Sequence, residues 1–115
     1  MELQSIYRNL QIQDMNQMQK SAYKTSENEN DLLLLSPTGS GKTLAFLFPV
    51  LRNLKKENSG IQAMILVPSR ELALQIEQVF KSMGTDFKVS VCYGGHDKKI
   101  EVNNLIESPA LLIGT

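Results

Sequence analysis

Short apolar runs alternate with amphipathic segments along this chain. Four runs, each rich in Leu, Ile or Val, are too short for a helix that stands alone, and they predict buried strands. The runs are residues 32–35, 63–67, 89–93 and 111–113. Because they are continuously apolar and not strictly alternating, they are typical of parallel strands that are covered on both faces.

Segments with a helical period lie between these runs. The apolar positions at helical spacing are Leu44, Leu47, Phe48 and Leu51 after the first run, and Leu72, Ile76, Val79 and Phe80 after the second. A third helix is predicted over residues 98–107, and a leading helix over residues 16–25. The alternation of strand and helix predicts an α/β fold, with a mostly parallel sheet flanked by helices.

Length, charge and cysteine content limit the class of protein. The 115 residues suffice for one core, so we expect one domain, with a leading helix within residues 1–30 and the other elements within residues 31–115. Lys plus Arg equals Asp plus Glu at 12 each, so any nucleic-acid contact must be local. A single cysteine excludes an internal disulfide, and no apolar run is long enough to span a bilayer, so we expect a cytoplasmic protein.

Residues 36–43, Ser-Pro-Thr-Gly-Ser-Gly-Lys-Thr, lie between a predicted strand and a predicted helix. Gly39 and Gly41 permit backbone angles that a Cβ would obstruct, so the amides of this turn can surround an anion at the positive end of the helix. Lys42 is then placed to contact the β and γ phosphates of a nucleotide, and the Thr43 hydroxyl is suited to Mg²⁺. We predict that these two residues have the catalytic roles.

The predicted nucleotide contacts of this phosphate loop are Ser36, Thr38, Gly39, Ser40, Gly41, Lys42 and Thr43. An alternative is a Gly-rich turn that ends in Lys-Thr by coincidence, but the placement between strand and helix favours the phosphate loop. The strict Gly-x-x-x-x-Gly-Lys pattern is not met, because Ser36 stands at its first glycine. The loop therefore belongs to variants that accept a small residue there.

Two segments of the chain resemble the DEAD-box helicases of superfamily 2. Residues 36–43 match that family's first motif, which reads Ala or Ser, any residue, Thr-Gly-any-Gly-Lys-Thr. Residues 68–73, Pro-Ser-Arg-Glu-Leu-Ala, are similar to its Pro-Thr-Arg-Glu-Leu-Ala segment, with Ser69 in place of Thr. The resemblance implies a RecA-like P-loop domain, of which residues 1–115 are a part.

In the family, the second segment contacts the nucleic-acid backbone. A strand that ends at Pro68 and a helix that begins near Arg70 would direct backbone amides, the Ser69 hydroxyl and a guanidinium at a phosphate. The alternative is an ordinary helix start with Arg70 paired to a glutamate on the next turn. The presence of both motifs at this spacing favours the nucleic-acid contact.

The resemblance assigns roles to four further residues. Gly94 and Gly95 resemble the family's double-glycine contact with the nucleic-acid strand, and Thr115 resembles the first residue of its Thr-Pro-Gly-Arg motif. Gln19 resembles the glutamine that contacts adenine, although Met15 and Asn16 stand where the family usually has Pro-Thr. Without the resemblance, the two glycines would be read as a common turn and Gln19 as a helix surface residue.

The resemblance implies the ATP-binding portion of an ATP-dependent RNA helicase, with ATP and Mg²⁺ as cofactors and RNA bound through its backbone. In the family, hydrolysis needs an Asp-Glu-Ala-Asp box, a Ser-Ala-Thr segment and arginines from a second domain. These parts are absent from the 115 residues, so we expect no hydrolysis by this chain alone. The alternatives left open are a DNA-directed superfamily 2 helicase and a non-catalytic nucleotide-binding module.

The resemblance also bears on the sheet. The family's strands that follow these residues are expected to lie between the phosphate-loop strand and the other strands. The sheet should therefore be incomplete, with exposed strand edges that favour self-association.

Overall fold

The computed structural model describes residues 2–93 and 108–115, which form two compact units. The first unit is residues 2–53, and the second is residues 54–115. In chain order the described elements are α1 (Leu3–Leu10), α2 (Gln17–Asn28), α3 (Lys42–Asn53), β1 (Ala63–Leu66), α4 (Arg70–Ser82), β2 (Val89–Cys92) and β3 (Leu111–Gly114). The α/β class predicted from the sequence is confirmed.

The second unit contains a parallel sheet in the order β1-β3-β2. Ala63 and Val89 both lie opposite Leu111, so the first residues of the three strands are aligned, and so are their last residues. The central strand, β3, is the best covered, because Leu111 and Ile113 are fully buried. Three of the four predicted strands are thus confirmed, and so is their parallel direction.

Helix α4 covers one face of this sheet. It begins after Ser69, whose Oγ accepts a hydrogen bond from the Leu72 amide at 3.2 Å and so caps the helix. Its buried side chains are Ala73, Ile76 and Phe80, and the helix packs on β2 and β3. On β1, by contrast, Met64 and Leu66 are exposed, so the expectation that every strand is covered on both faces is wrong for β1.

The first unit is helical and has its own apolar core. Ile6, Leu47 and Phe48 are almost completely buried, and the ring of Phe48 meets the ring of Tyr7 edge to face, with centroids 6.0 Å apart. Helix α1, which carries Tyr7, was not predicted from the sequence. It has only eight residues and ends where Gln11 adopts a left-handed conformation, with φ of 60°.

The leading helix predicted over residues 16–25 is confirmed as α2, which continues to Asn28. Arg52 of α3 contacts the C-terminal end of α2. Its Nη1 donates to the Tyr23 carbonyl at 2.7 Å, and its Nη2 donates to Ser26 Oγ at 2.8 Å. The guanidinium also lies 4.3 Å from the centroid of the Tyr23 ring. A cation at this end compensates the helix dipole, so α2 is fixed against α3.

The strand predicted at residues 32–35 does not form, and this prediction is wrong. Leu33 and Leu35 are 82% and 83% exposed, and the segment pairs with none of the described strands. An apolar run favours a strand only when a neighbouring strand supplies hydrogen-bond partners.

The remaining expectations concern loops and one helix. Residues 55–60 form an exposed connection that ends at Gly60, whose φ is +85°, as expected of a surface loop. The helix predicted over residues 98–107 lies outside the described residues. Within the described residues, no helix is both long and apolar enough to cross a membrane.

Candidate nucleotide-binding and nucleic-acid-binding sites

The phosphate loop precedes α3 directly, and its two glycines have left-handed backbones. The φ of Gly39 is +81° and that of Gly41 is +91°, in the region that other residues rarely adopt. A Cβ on Gly39 would meet nothing within 4 Å, whereas one on Gly41 would lie 2.6 Å from Nε2 of Gln19. Gly39 is therefore required by conformation alone, and Gly41 by conformation and by space.

Hydrogen bonds within the loop hold the turn in shape. The Ser40 amide donates to the Pro37 carbonyl at 3.3 Å, and Ser40 Oγ donates to the same carbonyl at 2.6 Å. Ser36 Oγ and Ser40 Oγ lie 2.8 Å apart and share a further hydrogen bond. Thr38 and Gly39, at the tip, are exposed. Ser36 thus closes the base of the turn in the place of the usual glycine.

Lys42 is half-buried at the start of α3, and its ammonium group can still donate hydrogen bonds to an anion. Its Nζ donates to the Ser36 carbonyl at 2.9 Å. An ammonium group has three donors, so two remain. None of the ion pairs found within residues 2–93 and 108–115 includes Lys42. Its charge is therefore held beside the loop by a neutral carbonyl.

The first turn of α3 suits a phosphate group. It carries no acidic side chain, so the positive end of the helix dipole is not offset within the turn. Thr43 lies in this turn and is half-buried. Its hydroxyl fits the role predicted for it, because Mg²⁺ accepts a single protein oxygen when phosphates and waters supply the other ligands. Within the described residues, no cluster of three or more His, Cys, Asp or Glu side chains could hold a metal.

Gln19 lies against the phosphate loop and is only 5% exposed. Its Nε2 donates to the Gly41 carbonyl at 3.1 Å, and its Oε1 accepts from the Asn16 amide at 2.9 Å. The alternative that Gln19 is a helix surface residue is therefore wrong. The structure places the Gln19 side chain against the phosphate loop, and its contact with adenine stays a prediction.

Asn16 is a further contact of the loop that the sequence did not reveal. Its Oδ1 accepts from the Gln19 amide at 2.9 Å, which caps α2, while its Nδ2 donates to the Ser40 carbonyl at 3.0 Å. The available signal was the pattern of Asn followed three residues later by Gln at a predicted helix start, which is a capping box. That pattern indicates the cap but not the contact with Ser40.

Tyr7 and Asp14 lie close to the start of α2, and both have a shifted pKa. Burial raises the pKa of the Tyr7 hydroxyl, and the nearby Asp14 carboxylate raises it further. The ammonium of Lys20, 2.8 Å away, lowers the pKa of the Asp14 carboxyl. The Asp14 carboxylate therefore stays charged and forms an ion pair with Lys20 near the start of α2.

The predicted nucleic-acid contacts of the second unit lie where its parallel strands end. Pro68, Ser69 and Arg70 follow β1, and Thr115 follows β3. The Arg70 guanidinium lies 5.6 Å from the centroid of the Tyr93 ring, just after β2, and its side chain is 55% exposed. The parallel register brings these residues to one edge of the sheet. The other two predicted contacts, the glycines at positions 94 and 95, lie outside the described residues.

The alternative role for Arg70, a helix-surface ion pair, is weakly supported. Its Nη2 lies 4.0 Å from Oε1 of Glu71, the adjacent residue and not one on the next turn. Both side chains are more than half exposed, and an exposed pair at this distance contributes little. The guanidinium remains available to an anion.

A parallel sheet covered by a helix, and a glycine-containing phosphate loop that leads into a helix, define the P-loop class of nucleotide-binding domains. The family model described as DEAD/DEAH box helicase matches residues 16–115. The chain belongs to this family.

Curated relatives and solved structures agree with this membership. The chain is 39% identical over 100 residues to a probable ATP-dependent RNA helicase, YfmL, of Bacillus subtilis, a match that covers 85% of this chain and 27% of the relative. It is 36% identical over 115 residues to the DEAD-box ATP-dependent RNA helicase CshC of Bacillus cereus, covering 98% of this chain and 30% of the relative. The chain thus spans less than a third of either relative.

Among solved structures, the crystal structure of the yeast DEAD-box splicing factor Prp28 matches with a TM-score of 0.86 and 28% identity, covering 98% of this chain and 29% of that one. The RNA helicase Prp28 from Chaetomium thermophilum, bound to ADP, matches with a TM-score of 0.83 and 31% identity, with the same coverage. These matches confirm the RecA-like fold class.

The two loop glycines allow a matched test. We expect Gly39→Ala to lower the free energy of unfolding by about 1–2 kcal/mol, the cost of a left-handed alanine. Gly41→Ala should cost more, because its methyl group also displaces the Gln19 amide. Urea denaturation of both variants measures the difference. Equal losses would show that the close packing at Gly41 is unimportant.

Proposed function

We propose that this chain is the ATP-binding portion of an ATP-dependent RNA helicase, and that residues 36–43 hold the phosphates of ATP. The observation that carries this proposal is the position and hydrogen bonding of the Lys42 ammonium group. Its ammonium lies at the start of α3, keeps two donors, and has no acidic side chain beside it in the first helical turn. This combination of positive charge and unused donors suits the binding of an anion.

The main chain and Lys42 act together in the proposed binding. The left-handed glycines turn the loop back on itself, so that consecutive amides can donate to the same phosphate group. The first amides of α3 have no partner within the helix and extend this set of donors. Lys42 adds the one full positive charge, which suits the doubly charged end of a triphosphate.

Magnesium fits the same loop through Thr43. This hydroxyl is in the first turn of α3, on the residue that follows Lys42. When bound with ATP, Mg²⁺ supplies charge neutralisation at the β and γ phosphates. Thr43 would hold the ion in place, and Lys42 would bind the phosphates beside it.

The strand ends of the second unit are the proposed contact with the RNA backbone. Ser69 Oγ accepts from the Leu72 amide, so its own proton remains available to a phosphate oxygen. Arg70 presents an exposed guanidinium, which can make two parallel hydrogen bonds to a phosphate. Such contacts bind any sequence, since they do not reach the bases.

Hydrolysis is proposed to belong to the longer helicase of which the relatives are examples. Phosphoryl transfer requires a positioned metal, an oriented water and charge neutralisation at the same time. The Asp-Glu-Ala-Asp and Ser-Ala-Thr sequences that serve the family in this step do not occur in these 115 residues. We therefore expect nucleotide binding without turnover.

Replacing Lys42 tests the nucleotide site. We expect Lys42→Ala to weaken binding of a fluorescent ADP analogue by about 10- to 100-fold, because a charge-assisted hydrogen bond is lost. The matched control is Lys24→Ala, which removes the same charge from an exposed position on α2 of the same unit. Unchanged binding by Lys42→Ala, or an equal loss in the control, would contradict the proposal. ATPase activity of the wild-type chain, with or without RNA, would contradict the expected lack of turnover.

Replacing Arg70 tests the RNA contact. We expect Arg70→Ala to weaken binding of a single-stranded oligoribonucleotide several-fold, equally for different base sequences, because the lost contact is to a phosphate. Fluorescence anisotropy at fixed salt measures this. Arg8→Ala, which removes an exposed arginine from α1, is the control for charge alone. Tighter binding of the matching DNA strand would favour a DNA-directed helicase.

The exposed leucines lead to a proposal of self-association. Leu33, Leu35 and Leu66 are each more than 70% exposed, and Leu66 lies on the outer strand of the described sheet. Apolar groups and free strand edges favour pairing between chains. We expect an apparent mass that rises with concentration in light scattering after size exclusion, and a smaller rise for Leu33→Lys with Leu35→Lys. A cooperative monomer at all concentrations would contradict this.

A further inference from the structure

The three strands of the second unit begin around an open groove. Backbone hydrogen bonds join the strand starts, because the Gln62 amide donates to the Ala110 carbonyl at 2.9 Å and the Ala110 amide donates to the Lys88 carbonyl at 2.9 Å. The groove has a volume of about 640 Å³, with residues 55–62 on one side and residues 86–88 on the other. It therefore lies at the opposite end of the strands from the proposed RNA contacts, which follow the strands.

The Gln62 side chain gives one wall of the groove a defined shape. Its Oε1 accepts from the Lys55 amide at 2.8 Å, and its Nε2 donates to the Lys55 carbonyl at 2.9 Å and to the Asn58 carbonyl at 3.4 Å. The Asn58 amide closes a turn by donating to the Lys55 carbonyl at 3.2 Å. The backbone of this wall is thus ordered before any partner binds, which lowers the entropic cost of binding.

Positive charge predominates in the groove. Among the described residues that line it, three are lysines and one is an aspartate, whereas the whole chain has equal numbers of basic and acidic residues. Lys55, Lys56 and Lys88 are all exposed. In the part of the chain that the structure describes, Lys55 takes part in no ion pair. Such a local excess of positive charge favours a partner that carries negative charge.

Asp86 shows how a carboxylate binds in this groove. Lys56 Nζ donates to Asp86 Oδ2 at 2.7 Å, and this ion pair joins the two walls. The hydrogen bond from Lys56 lowers the pKa of the Asp86 carboxyl, so the carboxylate is charged at neutral pH. The two side chains are 65% and 75% exposed, and an ion pair in solvent contributes little. A carboxylate of another molecule can therefore replace Asp86 at Lys56.

We propose that the groove is a docking site for an acidic peptide segment of a partner protein, whose carboxylates bind Lys55, Lys56 and Lys88. One carboxylate of the partner takes the place of Asp86 at Lys56. The others bind the remaining two ammonium groups through charge-assisted hydrogen bonds.

The polar groups of the groove fit a peptide better than a nucleic acid. Asn58 and Ser59 also line it, and their side chains offer acceptors as well as donors. Peptide backbone groups need both, whereas phosphate oxygens only accept. The Asp86 carboxylate would also repel a closely spaced row of phosphates, while a peptide can place its acidic side chains on the lysines alone. This inference does not depend on the nucleotide site or on the RNA contact.

Binding of a fluorescently labelled hexaglutamate peptide to the 115-residue chain tests the proposal by anisotropy at low ionic strength. We expect the double variant Lys55→Ala with Lys88→Ala to bind the peptide about tenfold more weakly, because two charge-assisted contacts are lost. The matched control is Lys24→Ala with Lys81→Ala, which removes two exposed lysines outside the groove. Its affinity should stay within about twofold of wild type.

Asp86→Asn should act in the opposite direction. It removes the carboxylate that competes for Lys56 and keeps a side chain of the same shape. We expect the peptide to bind about two- to fivefold more tightly, a gain that partial unfolding of the variant could not produce. Unchanged or weaker binding would overturn the inference that a partner's carboxylate replaces Asp86.

Three further outcomes would overturn the proposal. These are no binding by wild type, an equal loss in the control variant, and displacement of the peptide by a single-stranded oligoribonucleotide whose own affinity falls in the Lys55 and Lys88 variant. The last outcome would make the groove a nucleic-acid site. Arg70→Ala should leave peptide affinity unchanged, because Arg70 lies at the other end of the strands. Failure of the proposed RNA contact is thereby distinguished from failure of this inference.

Discussion

The left-handed turn at Gly41 is the constraint on which the candidate nucleotide site depends. With φ of +91°, it directs its carbonyl to the Gln19 amide and lets α3 begin at the next residue with Lys42. No other residue type could combine this conformation with the close approach of two side-chain amides. Loop shape, helix start and the position of the ammonium group are thus consequences of one backbone conformation.

Much of the architecture could be predicted because it depends on local sequence. The strands around Ile65, Val91 and Ile113, and the helices α3 and α4, are marked by apolar periodicity, and the parallel pairing of the strands follows from the strand-helix alternation. The phosphate loop was predictable for the same reason, since glycines at fixed positions determine its conformation. These features need no information about distant parts of the chain.

The failures all concern partners that a local pattern cannot supply. Residues 32–35 have the composition of a strand, but strand formation needs a neighbour, and Leu33 and Leu35 remain in solvent. Helix α1 is too short to show a clear period and is held by the packing of Tyr7 on Phe48. Asn16 is a typical helix-cap residue, but its hydrogen bond to the Ser40 carbonyl joins residues 24 positions apart. Such a contact is visible only after folding.

The stacking of Arg70 on Tyr93 has a consequence for the behaviour of the strand-end surface in salt. An aromatic face holds a guanidinium through its quadrupole and leaves the full charge in place, whereas a carboxylate would cancel it. Added electrolyte screens a contact between charges more strongly than a contact between a charge and a ring. In the proposed contact with an RNA backbone, the arginine should therefore stay oriented at ionic strengths where the contact itself has weakened, so that rebinding after dissociation requires no rearrangement of the side chain.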